Sequence, residues 1–180
     1  LIDRTNLKSY TSIFSGNYIQ QSTDAKNYEA IYVDSNTATL TFTATDGGKF
    51  IINDAINGSA AGTLKDSARY TLSFNGENAG DILMNNTITN ANINLNHENV
   101  LDGSALGLSN SVLNLKNNST GTMALNSLTA SNPNYLTLDV DFRTSGNYTA
   151  DKISTTSASS GVLTITNINV LGTEVVGEVL

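Results

Sequence analysis

The chain has 180 residues, a net charge of −7 and a pI of about 4.4. Its nine Lys and Arg are scattered singly, so there is no basic patch for nucleic acid or an anionic membrane. No apolar run reaches the roughly 18 residues that span a bilayer, and without Cys there is neither a disulfide framework nor a Cys-based zinc site. Asn, Ser and Thr are far above average usage. Even so, 39% of residues are hydrophobic and recur in short alternating runs, which predicts an ordered all-β protein rather than a disordered one.

Residues 1–36 follow no repeat. The opening "LIDRTNLKSY" has neither the basic start nor the apolar stretch of a signal peptide, so a removed signal or an internal excerpt is expected. "STDAKNYEAIYVDSN" at 22–36 is mixed in character, with room for a short helix. Segment 1–36 reads as an N-terminal cap or an irregular first coil, because the open end of a stacked β structure exposes unpaired backbone.

From residue 37 to 180 a repeat takes over. Apolar–polar–apolar triplets begin at Leu40, Leu72, Ile93, Leu113, Leu136 and Leu163, in steps of 32, 21, 20, 23 and 27. About ten residues after each triplet come Ile51 and Ile52, Ile82 and Met84, Ala105 and Leu106, and Met123 and Leu125. About sixteen after it come Ile56, Ile88, Leu108, Leu128 and Ile153. Three short strands per repeat, joined by Asn- and Gly-bearing corners such as "NGENAG" and "KNNSTG", predict a single-stranded right-handed parallel β-helix of about 6–7 coils. Asn and Gly accept the left-handed backbone that sharp corners need. The long steps require extruded loops: "NGSAAGTLKDSA" at 57–68, then "RTSGNYTADK" and "STTSASSG". An antiparallel sandwich is the alternative, and the wide polar corners argue against its tight hairpins. The apolar "GTEVVGEVL" carries no polar cap, so the natural chain is expected to continue.

The triplets Leu40–Phe42, Leu72–Phe74, Ile93–Leu95, Leu113–Leu115, Leu136–Leu138 and Leu163–Ile165 supply the expected core. Their middle residues, Thr41, Ser73, Asn94, Asn114, Thr137 and Thr164, would stack outward as a polar ladder. That ladder is a candidate lateral binding face. In "YLTLDVDFR", Leu136, Leu138, Val140 and Phe142 share the inner face, so Asp139 and Asp141 are expected in solvent beside Arg143. Two carboxylates are too few for a tight calcium site unless neighbouring coils add ligands. A glycosidase or lyase site would need such neighbours too. His97, the single histidine, sits in a corner, and with Asp102 and Ser104 it lacks the strained turn of a nucleophile elbow. No catalytic residue, metal site or cofactor is expected.

"NANINLNHENVL", "SVLNLKNNSTGTMALNSLTAS" and "NYLTLDVDF…ADKISTTSASSGVLTITNINVLG" resemble the passenger region of autotransporter-like bacterial surface proteins, over about residues 70–172. Those proteins often show a run like L-x-L-D-V-D, then A-D-K-I, then a G-x-L-T-I-x-N-I-N-V strand pair. The resemblance implies a secreted β-helix on a Gram-negative outer surface and carries over no catalytic residue. The expected role is that of an adhesin or structural stalk. Its partner would be a cell-surface glycan, a protein receptor or another copy, with no nucleic acid and no membrane insertion by this segment. A polysaccharide-active β-helix enzyme is the alternative.

Overall fold

A computed structural model describes residues 11–15 and 18–20 as backbone, and residues 31–33, 35–59, 68–143 and 147–172 in full. The expected loop at 57–68 falls mostly outside these residues, as do the apolar terminus 173–180 and much of 1–36; within the stretch 22–36, given room for a short helix, 31–33 is a strand.

The chain visits three ladders of strands in a fixed order. The first round is β1 (Thr11–Ser15), β2 (Tyr18–Gln20) and β3 (Ile31–Val33); the second is β4 (Thr39–Thr43), β5 (Phe50–Ile52) and β6 (Ile56–Gly58). The third is β7 (Tyr70–Asn75), β8 (Ile82–Met84) and β9 (Thr87–Thr89). Next come β10 (Ala91–Leu95), a 3-10 turn at Glu98–Leu101 and β11 (Ala105–Ser109). The fifth round has β12 (Val112–Asn114), β13 (Thr122–Leu125) and the first half of β14 (Ser127–Asp141). The remaining strands are β15 (Thr149–Ala150), β16 (Lys152–Thr155) and β17 (Ser160–Leu171).

Strands of successive rounds pair in parallel. The first ladder runs β1-β4-β7-β10-β12-β14-β17, and the third runs β3-β6-β9-β11-β14. The second ladder comprises β2-β5-β8 and β13-β16. Among the described residues the one antiparallel pairing is the short hairpin of β15 on the end of β14. The molecule is therefore all-β and built on parallel ladders, a solenoid-like arrangement, and not an antiparallel sandwich. β1–β3 pair in register with β4–β6, so the described part of 1–36 belongs to the same ladders.

Alternation sets the interior. In "TLTFT" of β4, Leu40 and Phe42 are buried while the three threonines are half-buried on the other face. Leu40, Leu72, Ile93 and Leu113 stack in register, as do Phe42, Phe74 and Leu95, and all are buried. Each such side chain contributes about 1.5–3 kcal/mol of burial. Phe42 stacks on Phe74 at 5.8 Å and meets Phe50 edge-on at 5.5 Å, which ties the first ladder to the second. Gly58 permits a close approach: a Cβ there would lie 2.3 Å from the Tyr70 ring, which fills the interior beneath it. Burial drives the Tyr70 hydroxyl pKa upward.

Three expectations need correction. Ala105 and Leu106 lie on the third ladder, because the 3-10 turn with buried Val100 and Leu101 takes the second-ladder place in that round. Ile153 pairs with Met123 on the second ladder, not on the third. Leu136 pairs with Ile165 rather than Leu163, because the β14–β17 register after the irregularity between Ala130 and Asn134 sets Leu163 opposite Asn134. Ile165 is 54% exposed, since β17 has a described neighbour on one edge only.

Candidate functional site

The expected outward column exists for most of its length. Thr41, Ser73, Asn94, Asn114 and Thr137 are successive register partners on the first ladder. The Asn114 amide donates to Asn94 Oδ1 at 2.9 Å, and the Thr137 hydroxyl donates to Asn114 Oδ1. Side chains stacked one strand spacing apart can bond along the axis in this way. Thr164 does not join them. The register slip sets it opposite Tyr135, and Asn167 faces Thr137 instead.

The carboxylate pair separates. Asp141 stays near the surface and accepts from Arg143 Nε and Nη2 at 2.9 and 2.5 Å. That hydrogen-bonded guanidinium lowers the Asp141 pKa. Asp139 is fully buried, contrary to the expected solvent position. It shares the face of Thr137, as alternation requires, but the corner at 116–121 covers it. Its Oδ2 accepts the backbone N–H of both Asn117 and Asn118 at 2.8 Å, and Asn169 Nδ2 donates to Oδ1.

Two further acids that the sequence did not single out adjoin it. Asp151, 8% exposed, accepts the Asp139 N–H at 2.6 Å and the Gly121 N–H at 3.0 Å, and its own N–H donates to the Asp139 carbonyl. Desolvation pushes the Asp151 pKa up to about 6, with Glu98 and Asp139 adding repulsion and the two N–H donors opposing. Buried Glu98 accepts from Asn117 Nδ2 at 2.6 Å. Asp139 and Asp151 thus act as acceptors for backbone N–H groups, and Glu98 for a corner side-chain amide. Charge-assisted bonds to N–H groups are the strong kind, and they satisfy donors that a loop would otherwise leave buried. Asp81 does the same for the corner N–H groups of Glu77 and Asn78, and Asp102 accepts the N–H of Ala124 in β13. Among the described residues no group of three or more acidic, His or Cys side chains is arranged to hold a metal ion.

His97, Asp102 and Ser104 are not joined. His97 Nε2 lies 3.0 Å from the Gly76 carbonyl and Nδ1 faces Asn99. The Ser104 hydroxyl accepts from Met84 N and donates to the Ile82 carbonyl.

A second polar surface lies where the third ladder turns into the first. Tyr32, Asn57, Thr89 and Ser109 are register partners and form one column. Asn90, Asn110 and Asn132 form a second, each with a left-handed backbone (φ 56°, 49° and 63°). Between the columns lies an open cavity of about 400 Å³. Asn110 Nδ2 donates to Asn90 Oδ1 at 2.9 Å, Asn90 Nδ2 to the Gly58 carbonyl at 2.9 Å, and Asn132 Nδ2 to Ser109 Oγ at 2.9 Å. Behind them Arg69, 4% exposed, donates to the Asn110 carbonyl and to its Oδ1 at 2.7 and 3.0 Å. Its guanidinium sits 5.6 Å from the centre of the Tyr135 ring. The sequence signal for this corner is a hydroxyl residue followed by Asn at 89–90, 109–110 and 131–132, in steps of 20 and 22.

No family model matches the chain, and no characterised protein or solved structure matches it.

Proposed function

We propose that this chain is a segment of a secreted, bacterial surface-displayed adhesin or structural stalk, wound as a single-stranded right-handed parallel β-helix of about six or seven coils. Three ladders visited in constant order support the winding. The observation that carries the role is the neutral column Asn94–Asn114–Thr137, hydrogen-bonded along the axis and presented on a strand face above a continuous aliphatic stack. Such a face offers donors and acceptors at regular spacing to a cell-surface glycan, a protein receptor or another copy of the chain. The resemblance to autotransporter-like passengers over about residues 70–172 agrees with this role. In this reading the chain is not an enzyme: Asp139 and Asp151 are occupied by backbone N–H groups and do not stand in a groove as an acid–base pair.

Beads coated with the chain should adhere to cell monolayers, and Asn94→Lys with Asn114→Lys should reduce that adhesion. Incubation with polysaccharides should release neither new reducing ends nor unsaturated products. Steady release of either would replace the adhesin with a lyase or glycosidase-like enzyme.

A further inference from the structure

We propose that the two-column corner groove binds a neutral, unbranched oligosaccharide lying along the stacking axis. This inference goes beyond the adhesin reading and stands apart from it, because it places the contact on a different face from the Asn94–Thr137 column.

Spacing is the first argument. The columns step once per round, and paired strands lie about 4.7–4.9 Å apart. That is close to the length of one pyranose in an extended chain. An extended peptide advances only about 3.2–3.4 Å per residue and would drift out of step with the columns. The groove gathers Tyr32, Asn57, Thr89 and Ser109 from four successive rounds, with Asn132 of the fifth one residue past the register position, so successive sugar units could each meet a polar side chain.

Chemistry is the second. Among the described residues the lining consists of amides, hydroxyls, a glycine and one phenol ring, with no Asp, Glu, Lys or Arg. Arg69 lies behind Asn110 and is committed to it. With a net charge of −7 and no cation among the described lining residues, an anionic polymer is disfavoured. A side-chain amide has two N–H donors and a two-lone-pair acceptor, so Asn90 and Asn132 retain capacity beyond the bonds named above. Tyr32, half-buried at one end, offers a ring for the apolar face of a sugar and a hydroxyl for its edge.

Preorganisation is the third. The amides are already fixed by one another and by Arg69, so little side-chain freedom would be lost on binding. The cavity of about 400 Å³ falls within the usual range for small-ligand sites.

The test uses the 180-residue chain and linear hexasaccharides of β-1,4-linked glucose, N-acetylglucosamine and mannose. Oligogalacturonate and a Gly/Ser peptide of matched length serve as controls. Binding is read by saturation-transfer NMR and calorimetry, and the products by chromatography. At least one neutral sugar should bind. Tyr32→Ala should weaken it about tenfold, the scale of one lost stacking contact. Asn132→Gly, which keeps the left-handed backbone, should weaken it too, while Asp141→Asn, outside both polar faces, should leave it unchanged. The groove proposal fails if no neutral sugar binds, if only the anionic oligomer or the peptide binds, or if Asn94→Ala abolishes binding while the groove variants do not. That last outcome leaves the adhesin reading standing on the other face. Binding in the groove accompanied by shortening of the sugar supports the site and removes the adhesin reading.

Discussion

From the third round on, the chain turns between the third and first ladders on one or two residues, with Asn90, Asn110 and Asn132 in the left-handed region, whereas the first two rounds have the longer stretches 34–38 and 59–69 between those strands. Between the first and second ladders it turns through longer segments, 76–81 and 115–121, and then through the whole stretch from 142 to 151 with its hairpin. In those later rounds the short corner repeats closely, so neutral amides can satisfy one another up the axis. The long corner varies in length, and its backbone N–H groups have no periodic partner. There the chain uses buried carboxylates as acceptors, Asp81 within its own loop and Asp139 across to the previous round. Periodicity thus makes an even neutral surface on one side, while irregularity requires charge on the other.

The largest expected break in this contrast is Asp139→Ala. It removes the acceptor of two backbone N–H groups and of Asn169. At roughly 1–3 kcal/mol per buried unsatisfied group, the loss should be about 3 kcal/mol or more. The reading is the urea midpoint at unchanged slope, and an unshifted midpoint would remove the carboxylate clamp from the account.

Asn110 tests the other corner. Asn110→Ala should cost about 2 kcal/mol, from left-handed strain and lost amide bonds together. Asn110→Gly should recover the backbone part. Equal losses in the two variants would mean the backbone conformation is not the issue.

A pH series separates the corners by charge. The folded pKa of Asp151, about 6, lies above its ordinary value of 3.8. Its stabilising contribution is therefore full below about pH 4 and is lost as pH rises through about 6. Asp151→Asn should flatten thermal stability across that window, whatever it does to the absolute midpoint, whereas Asn110→Gly should keep the wild-type slope. The smallest effect belongs to Asp141→Asn. Its partner Arg143 is 56% exposed, and surface pairs of this kind contribute little, so thermal melts should not distinguish it from wild type.

The central ladders were legible in the sequence because their residues obey two local rules at once, alternation and a step of 20–23. Leu72, Ile93 and Leu113 fall in register as the triplets predict. The slip at β17 was not legible, because two irregularities hide between polar residues that fit either face. The burial of Asp139 was not legible either: alternation correctly turns it away from the aliphatic stack, but the corner that covers it lies more than 20 residues earlier. The Asn column was present as a spacing, with Asn read as a corner residue and not as a stacked one.

All of these surfaces depend on the parallel register, and disulfide trapping measures that register directly. These 180 residues contain no Cys, so a pair introduced into them reports without ambiguity. Register partners one strand spacing apart, about 4.8 Å, lie within the usual Cα separation for a disulfide. Thr89→Cys with Ser109→Cys should oxidise readily, as should Thr137→Cys with Asn167→Cys, whereas Thr137→Cys with Thr164→Cys should remain reduced. Failure of the first pair, or closure of Thr137 with Thr164 in place of Asn167, would contradict the stacking on which both polar faces rest.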